Sequence, residues 1–173
     1  ILELTKARLP WLVLALFGGF ISVHVLGIFE PVMDLHPELF FFTPLIAAMA
    51  GNVGVQSSAI IVQGLANNTI IGPVVERLLK ELSLSLLNGV ILSVILLAGS
   101  YFLLGYEIHV GYTVSIALLS VIIMASLIGT FIPIILNKYG VDPALATGPF
   151  ITTSNDILGI LTYFTIAKII LGI

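Results

Sequence analysis

Residues 113–136 read TVSIALLSVIIMASLIGTFIPIIL, a run of 24 residues with no acidic, basic or amide side chain. An apolar segment of roughly 20 residues is long enough to cross the hydrocarbon core of a bilayer as an α-helix. In lipid every backbone polar group needs a partner within the segment, so a helix is the structure expected here. This segment therefore predicts a membrane-spanning helix and sets the class of the chain.

The composition of the whole chain agrees with a membrane protein. Of the 173 residues, 59% are hydrophobic and 9% are charged, and the mean hydropathy is +1.22. These values lie far outside the range of a soluble domain. The chain contains no cysteine, so disulfides and thiolate metal sites are excluded and a bound metal would need oxygen ligands. The net charge of −3 gives no reason to expect a nucleic-acid partner.

Further apolar segments predict an all-α, polytopic protein with five transmembrane helices. The predicted spans are residues 10–29, 39–64, 83–104, 113–136 and 143–171. The connector 65–82 carries Arg77 and Lys80 among apolar residues at helical spacing, which predicts a short interfacial helix between the second and third spans. Residues 1–173 are thus expected to form a single transmembrane domain in the lipid bilayer.

The positions of the charged residues predict the orientation. The bases on one side of the predicted spans are Lys6, Arg8, Arg77, Lys80 and Lys138. The loops on the other side carry Glu30, Asp34, Glu38 and Glu107 and no Lys or Arg. The positive-inside rule then places the N-terminus in the cytoplasm and the C-terminus outside, with Lys168 as a mild exception. The chain is expected to be a multi-pass protein of the plasma or inner membrane.

Asp156 is the one ionisable residue well inside a predicted span, close to the midpoint of the fifth. An ionised carboxylate there is costly unless it faces water, a cation or a partner group. One interpretation is a protonated or helix-paired structural aspartate. Because no predicted span contains a basic residue that could pair with it, a bound cation or a water-filled cavity is the favoured interpretation.

The residues before Asp156 are unusually polar for a membrane helix. Residues 147–149 read TGP and residues 152–155 read TTSN. Pro149, Thr152, Asp156 and Gly159 fall on one helical face at spacings of three and four. Pro149 also removes a backbone donor, which frees a carbonyl one turn earlier for an ion or water. The residues expected to line a cation path in this span are Gly148, Pro149, Thr152, Asn155, Asp156 and Gly159.

The second span contains a matching polar segment, GNVGVQ, at residues 51–56. Its glycines permit close approach of another backbone or an ion, and Asn52 and Gln56 supply amide oxygens. Packing of small residues with interhelical hydrogen bonds is an equally good interpretation of this segment alone. Together with Asp156, it predicts that the second and fifth spans line one path.

One carboxylate per chain is few for a divalent cation, which predicts a homodimer in which two copies of Asp156 face each other. Mg2+ gives up its waters reluctantly, so a wide site with few direct ligands and many carbonyl or amide acceptors suits it. Ca2+ would favour more direct carboxylates.

Two stretches resemble the signature segments of the MgtE magnesium channel family: PLIAAMAGNVGVQ at residues 44–56 and DPALATGPFITTSNDILG at residues 142–159. The resemblance covers essentially the whole chain. In family members the corresponding region is the membrane domain only. Family members are similar in carrying cytosolic regulatory domains upstream. The chain begins at Ile1 rather than Met, and we expect it to be a fragment of such a longer protein.

The resemblance implies a homodimer pore lined by the second and fifth spans, with a hydrated Mg2+ held at Asp156. It also implies backbone contributions at Gly51 and Thr152. The sequence departs from many bacterial members at Val55, Ala59 and Gly148, where Asn, Thr and Asn are common. Fewer side-chain oxygens predict a looser preference among Mg2+, Mn2+, Co2+ and similar ions.

Three other functions compete with a Mg2+ channel. A carrier coupled to H+ or Na+ would use Asp156 as the shared proton and cation site. A purely structural membrane subunit also stays open. An enzyme is not expected. Intramembrane aspartyl proteases need a second aspartate in another span, and none of the other predicted spans contains one. The sequence also has no plausible Ser–His pair and no metalloprotease motif.

Overall fold

The computed structural model describes residues 1–69 and 73–172, without the side chains of residues 7 and 145–147. All regular structure in these ranges is helical, which confirms the all-α prediction. The helices are α1 (Leu2–Ile28), α2 (Glu30–Leu35), α3 (Pro37–Ala66), α4 (Val74–Phe102), α5 (Ile108–Lys138) and α6 (Pro143–Leu171).

The five long helices, α1, α3, α4, α5 and α6, are each long and apolar enough to cross a membrane, which confirms the five predicted spans. Most of them extend beyond the predicted bounds. Helices α3, α4 and α5 have 30, 29 and 31 residues, or about 45 Å at 1.5 Å per residue. The hydrocarbon core is only about 30 Å thick. Hydropathy marks the lipid-buried part of a helix, and the helical backbone continues past it.

The connector predicted as an interfacial helix has a different structure. Residues 65–66 end α3, residues 67–69 form a turn, and residues 74–82 are the first turns of α4. Residues 70–72 lie outside the described residues. The apolar periodicity correctly indicates a helix, but no helix breaker separates it from the third span, so one helix runs from Val74 to Phe102. Pro73, in extended conformation, precedes this helix.

Helix α2 was not predicted from the sequence. It is six residues long and lies between α1 and α3, with Pro31 in its first turn. The ring of Phe29, just before α2, stacks on Phe164 of α6 at a centroid distance of 5.3 Å. This contact ties the link between α1 and α3 to the end of α6.

Helix α5 is the centre of the packing and contacts α3, α4 and α6. Small residues allow these contacts. A Cβ on Gly89 of α4 would lie 2.6 Å from Leu119 Cδ1, and a Cβ on Gly129 of α5 would collide with the backbone of Gly54 in α3. Ser93 also donates a hydrogen bond across the α4–α5 contact, to the carbonyl of Ser115 at 2.8 Å. Close helix packing through small residues is typical of membrane bundles.

Helices α3 and α6 pack antiparallel, and two side-chain hydrogen bonds fix their relative height. The Tyr163 hydroxyl donates to the Leu39 carbonyl at 2.8 Å, and the Asn155 amide donates to the Ala50 carbonyl at 3.0 Å. Along this contact the α3 numbers rise as the α6 numbers fall. The segment around Asp156 therefore lies beside the segment around Gly51.

Candidate cation site

Helix α6 begins at the predicted boundary. The Asp142 carboxylate accepts a hydrogen bond from the Ala144 amide at 2.9 Å, and Pro143 occupies the first turn. An aspartate N-cap followed by proline is a favoured helix start, because the carboxylate satisfies an amide that has no helical partner and proline has no amide to satisfy. The start of α6 sets the direction in which each later side chain points around the helix axis.

The polar residues of α6 divide between two faces. Gly148 and Thr152 are exposed, and Asp156, one turn further on, is half-buried. Ile151 and Asn155, one residue before Thr152 and Asp156, are fully enclosed. Spacings of four residues keep each set on its own side of the helix. Half-buried Pro149 lies near the exposed set.

Two residues predicted to line a cation path are packed inside the chain instead. Asn155 is 0% exposed, and its amide donates to Ala50 of α3. Gly159 is buried too, and a Cβ added there would lie 3.5 Å from the Ala50 Cβ. Both residues follow Ile151 at intervals of four and so face α3 and α5. Asn155 thus serves helix packing beside Asp156.

Helix α3 shows the same division. Asn52, Val55, Gln56 and Ala59 are exposed, whereas Gly54 is buried. A Cβ on Gly54 would collide with the Asn155 amide. Gly51 is half-buried, and nothing lies within 4 Å of where its Cβ would be. The backbone at Gly51 is therefore open to approach from outside the chain.

The exposed polar residues of the two helices form what we call the open face. It consists of Asn52 and Gln56 of α3 and Gly148, Thr152 and Asp156 of α6. The Thr152 hydroxyl donates to the Gly148 carbonyl at 3.1 Å, so its proton is used within the helix and its oxygen remains an acceptor. In the described part of the chain, ion pairs are confined to His36–Glu38 and His109–Glu107, which leaves Asp156 without a basic partner there.

The open face offers hard oxygen ligands but few charges. No group of three or more His, Cys, Asp or Glu side chains suited to a metal occurs within residues 1–69 and 73–172. A cation at Asp156 would accordingly depend on one carboxylate per chain, amide and hydroxyl oxygens and backbone carbonyls. Such a sparse oxygen set suits an ion that keeps most of its water ligands.

Residues 43–166 match the model of the MgtE family, described as divalent cation transporters. The chain belongs to the MgtE family. The matched region contains both segments, 44–56 and 142–159, that carry the resemblance in the sequence.

Individual MgtE proteins cover nearly all of this chain. It is 41% identical over 161 residues to the magnesium transporter MgtE of Bacillus subtilis (strain 168), covering 92% of this chain and 36% of that protein. The corresponding protein of Enterococcus faecalis is 35% identical over 170 residues, and that of Thermus thermophilus is 33% identical over 166 residues. They cover 96% and 95% of this chain. The chain spans little more than a third of the length of these relatives.

A second polar feature of this MgtE chain lies at the end of the bundle opposite the start of α6. His36 Nδ1 lies 2.9 Å from Glu38 Oε1, and His109 Nδ1 lies 3.1 Å from Glu107 Oε2. The two pairs line one cavity of about 400 Å3. The sequence places Glu38 and Glu107 in loops on one side of the membrane, and the structure adds that they share a cavity with His36 and His109.

Glu81 was not recognised from the sequence as a buried polar residue. It was assigned to the connector, but it lies in α4 and is only 8% exposed, and it accepts a hydrogen bond from the Ser57 hydroxyl at 2.5 Å. The signal was present in the sequence. Glu81, Ser85, Gly89 and Ser93 recur every four residues, and such spacing of small and polar residues indicates a packed helical face.

Proposed function

We propose that this chain forms the ion pathway of a divalent-cation channel or transporter and that Mg2+ is the ion it moves. The observation that carries the proposal is the half-buried carboxylate of Asp156 on the open face of the bundle. A carboxylate within a membrane helix needs water, a cation or a partner charge. The similarity to relatives named as magnesium transporters supports Mg2+ as that ion.

The open face also supports a homodimer. Asn52, Gln56 and Thr152 are polar and exposed on helices long enough to span a membrane. Contact of such side chains with lipid is costly because hydrocarbon offers no hydrogen bonds. A two-fold partner would cover the face and bring a second Asp156 opposite the first, so that two carboxylates balance one divalent ion.

Each residue of the open face, and the neighbouring Gly51 and Pro149, has a proposed role. Asp156 provides the charge that attracts a hydrated Mg2+, and the backbone at Gly51 and Thr152 accepts hydrogen bonds from its waters. Asn52, Gln56, Gly148 and Pro149 line the path on either side. Because Val55 and Ala59 are also exposed there and offer no oxygen, Mn2+ and Co2+ should pass more readily than in relatives with polar residues at these positions.

The remaining features of the assembly are proposals of the same kind. The N-terminus lies in the cytoplasm and the C-terminus outside, in the plasma or inner membrane of the cell. In the full-length protein, cytosolic regulatory domains lie upstream of this region, which is consistent with the greater length of the relatives. The activity is transport without a catalysed reaction.

The test is Mg2+ uptake into proteoliposomes or into a strain that depends on added Mg2+. Asp156→Ala should reduce uptake to the background of empty liposomes. Asp34→Ala, an exposed aspartate of α2, is the matched control and should retain uptake. Uptake by Asp156→Ala equal to that of the unmodified protein would rule out the central site.

The same liposomes distinguish a channel from a coupled carrier. For a channel, Mg2+ flux follows the Mg2+ gradient and membrane potential alone. A flux that stops when the H+ or Na+ gradient is collapsed at constant potential would show instead that Asp156 serves a coupled carrier.

A further inference from the structure

The buried carboxylate of Glu81 plays no part in the open face. It lies in α4 and is 8% exposed. The Ser57 hydroxyl of α3 donates to Glu81 Oε1 at 2.5 Å. A distance of 2.5–2.7 Å is typical of a hydroxyl that donates to an ionised carboxylate. The contact holds Glu81 between two membrane helices, where an ionised carboxylate would need a counter-charge.

Glu81 borders a small cavity between α3, α4 and α5, which we call the Glu81 cavity. Its volume is about 80 Å3. The polar residues that line it come from all three helices: Gln56, Ser57, Glu81, Ser85, Asn88 and Ser126. A space of this size holds only two or three water-sized particles at about 30 Å3 each.

The serine hydroxyl protons at the Glu81 cavity are already used in hydrogen bonds. Ser85 donates its hydroxyl proton to the Leu82 carbonyl at 3.0 Å, and Ser126 donates to the Ile123 carbonyl at 3.1 Å. Ser57 donates to Glu81 itself. Each hydroxyl has one proton, so the three serine oxygens can offer only lone pairs to the cavity. The rest of the lining is apolar and consists of Val53, Ile60, Leu84 and Ile122. The acceptor oxygens and an ionised Glu81 on the polar side of the cavity favour a cation.

No direct ion pair neutralises this charge in the described part of the chain. Arg77 lies one turn before Glu81 on the same side of α4, and its buried Nε has no hydrogen-bond partner. Over residues 1–69 and 73–172, no Lys or Arg nitrogen lies within 4.0 Å of a Glu81 oxygen, since the ion pairs found are both His–Glu pairs. A buried carboxylate without a counter-charge is strongly destabilising.

We propose that the Glu81 cavity binds one Na+ ion, with Glu81 as the charged ligand and serine and amide oxygens as neutral ligands. One carboxylate balances one positive charge, whereas a divalent ion would leave a buried excess. Mg2+ also keeps several of its waters, and they do not fit a cavity of about 80 Å3. A singly charged ion is desolvated at lower cost, because the solvation energy rises with the square of the charge.

This site is distinct from the one at Asp156, although Gln56 is common to both. Gln56 lines the Glu81 cavity and is exposed on the open face. A Na+ ion at Glu81 would thus lie between α3, α4 and α5, on the side of α3 that faces away from α6. It would stabilise the contact of α3 with α4 whether or not Mg2+ is present.

The test uses the purified protein in nanodiscs, with Na+ as the only probe and choline chloride holding the ionic strength. Broadening of the 23Na NMR signal should saturate with protein concentration, and K+ should compete more weakly than Na+. Glu81→Gln keeps the shape of the side chain and removes its charge, so Na+ binding should weaken by roughly tenfold to a hundredfold. Glu76→Gln, at an exposed position of the same helix, is the matched control and should bind as the unmodified protein does.

A second variant covers the case in which Glu81→Gln does not fold. Ser126→Ala removes one oxygen from the opposite wall, and Na+ binding should weaken several-fold. Asp156→Ala should keep the Na+ signal, so a failure of this site and a failure of the site at Asp156 give different results. Binding that is unchanged in Glu81→Gln or Ser126→Ala, or no saturable Na+ signal in the unmodified protein, would overturn the proposal.

Discussion

Two carboxylates lie among the membrane helices of this chain, and their surroundings differ. Asp156 is half-buried on the open face, next to exposed polar residues of α3 and α6. Glu81 is enclosed by α3, α4 and α5 and has a hydroxyl donor within the same chain. Glu81 is packed within the chain, whereas one side of Asp156 is open.

This difference bears on function. An ion that moves must enter and leave a site, so its ligands have to be reachable and loosely held. An ion that stays is better served by an enclosed site of fixed size. By that criterion Asp156 suits a transported ion and Glu81 suits a resident one. Helix α3 separates the two, with Gly54 at its contact with α5 and α6.

The largest effect is expected from Asp156→Asn, which removes the charge of the open face. Mg2+ affinity of the purified protein should fall about a hundredfold, because a charge-assisted contact is lost in each chain of the proposed dimer. Isothermal titration with Mg2+ measures this change, and Asp34→Asn is the control for a lost surface charge. Equal affinities in the two variants would remove the distinction between the two carboxylates.

The next largest effect is expected from Gly54→Ala, which tests the close contact of α3 with α5 and α6 between the two sites. The new methyl would collide with the Asn155 amide and Ile151, and overpacking of this kind costs about 1–3 kcal/mol. Thermal unfolding in detergent should show a lower midpoint. Gly99→Ala is the control, since a Cβ there meets nothing within 4 Å. A Gly54→Ala protein as stable as Gly99→Ala would contradict the close α3–α6 contact.

A smaller loss of stability is expected from Ser57→Ala, which removes the hydroxyl donor of Glu81. Loss of one partner of a buried acceptor costs about 1 kcal/mol or somewhat more. Ser83→Ala, at an exposed hydroxyl that donates within its own helix, should unfold at the temperature of the unmodified protein. If both variants unfold together, Glu81 is not enclosed in the way described.

The smallest effect is expected from Val55→Asn, which adds an amide oxygen to the open face. The preference for Mg2+ over Co2+ should rise about two- to fivefold, because one added hydrogen bond to a hydrated ion contributes about 0.5–1 kcal/mol. Competition of Co2+ with Mg2+ uptake in liposomes measures the ratio. An unchanged ratio would place position 55 away from the ion path.

Much of the architecture could be predicted from the sequence, because hydropathy and charge act locally. The run of 24 residues without an acidic, basic or amide side chain at 113–136 and its four counterparts sufficed for five helices, and the unpaired charge of Asp156 sufficed for a candidate site. The segments 44–56 and 142–159 by themselves pointed to the MgtE family. The helix and site predictions depend on the cost of placing a charge or a bare backbone group in lipid, which does not depend on the fold.

Only the tertiary structure decided which polar residues are open and which are enclosed. Helical spacing relates Asn155 to Gly159 and Thr152 to Asp156, but it does not say which pair another helix will cover. Contacts with α3 buried the first pair and left the second accessible. Contacts with α3 and α5 likewise bury Glu81, which the sequence had placed in a connector at the membrane surface. Periodicity sets the angle between residues on one helix, and the packing of the neighbouring helices determines the environment at each angle.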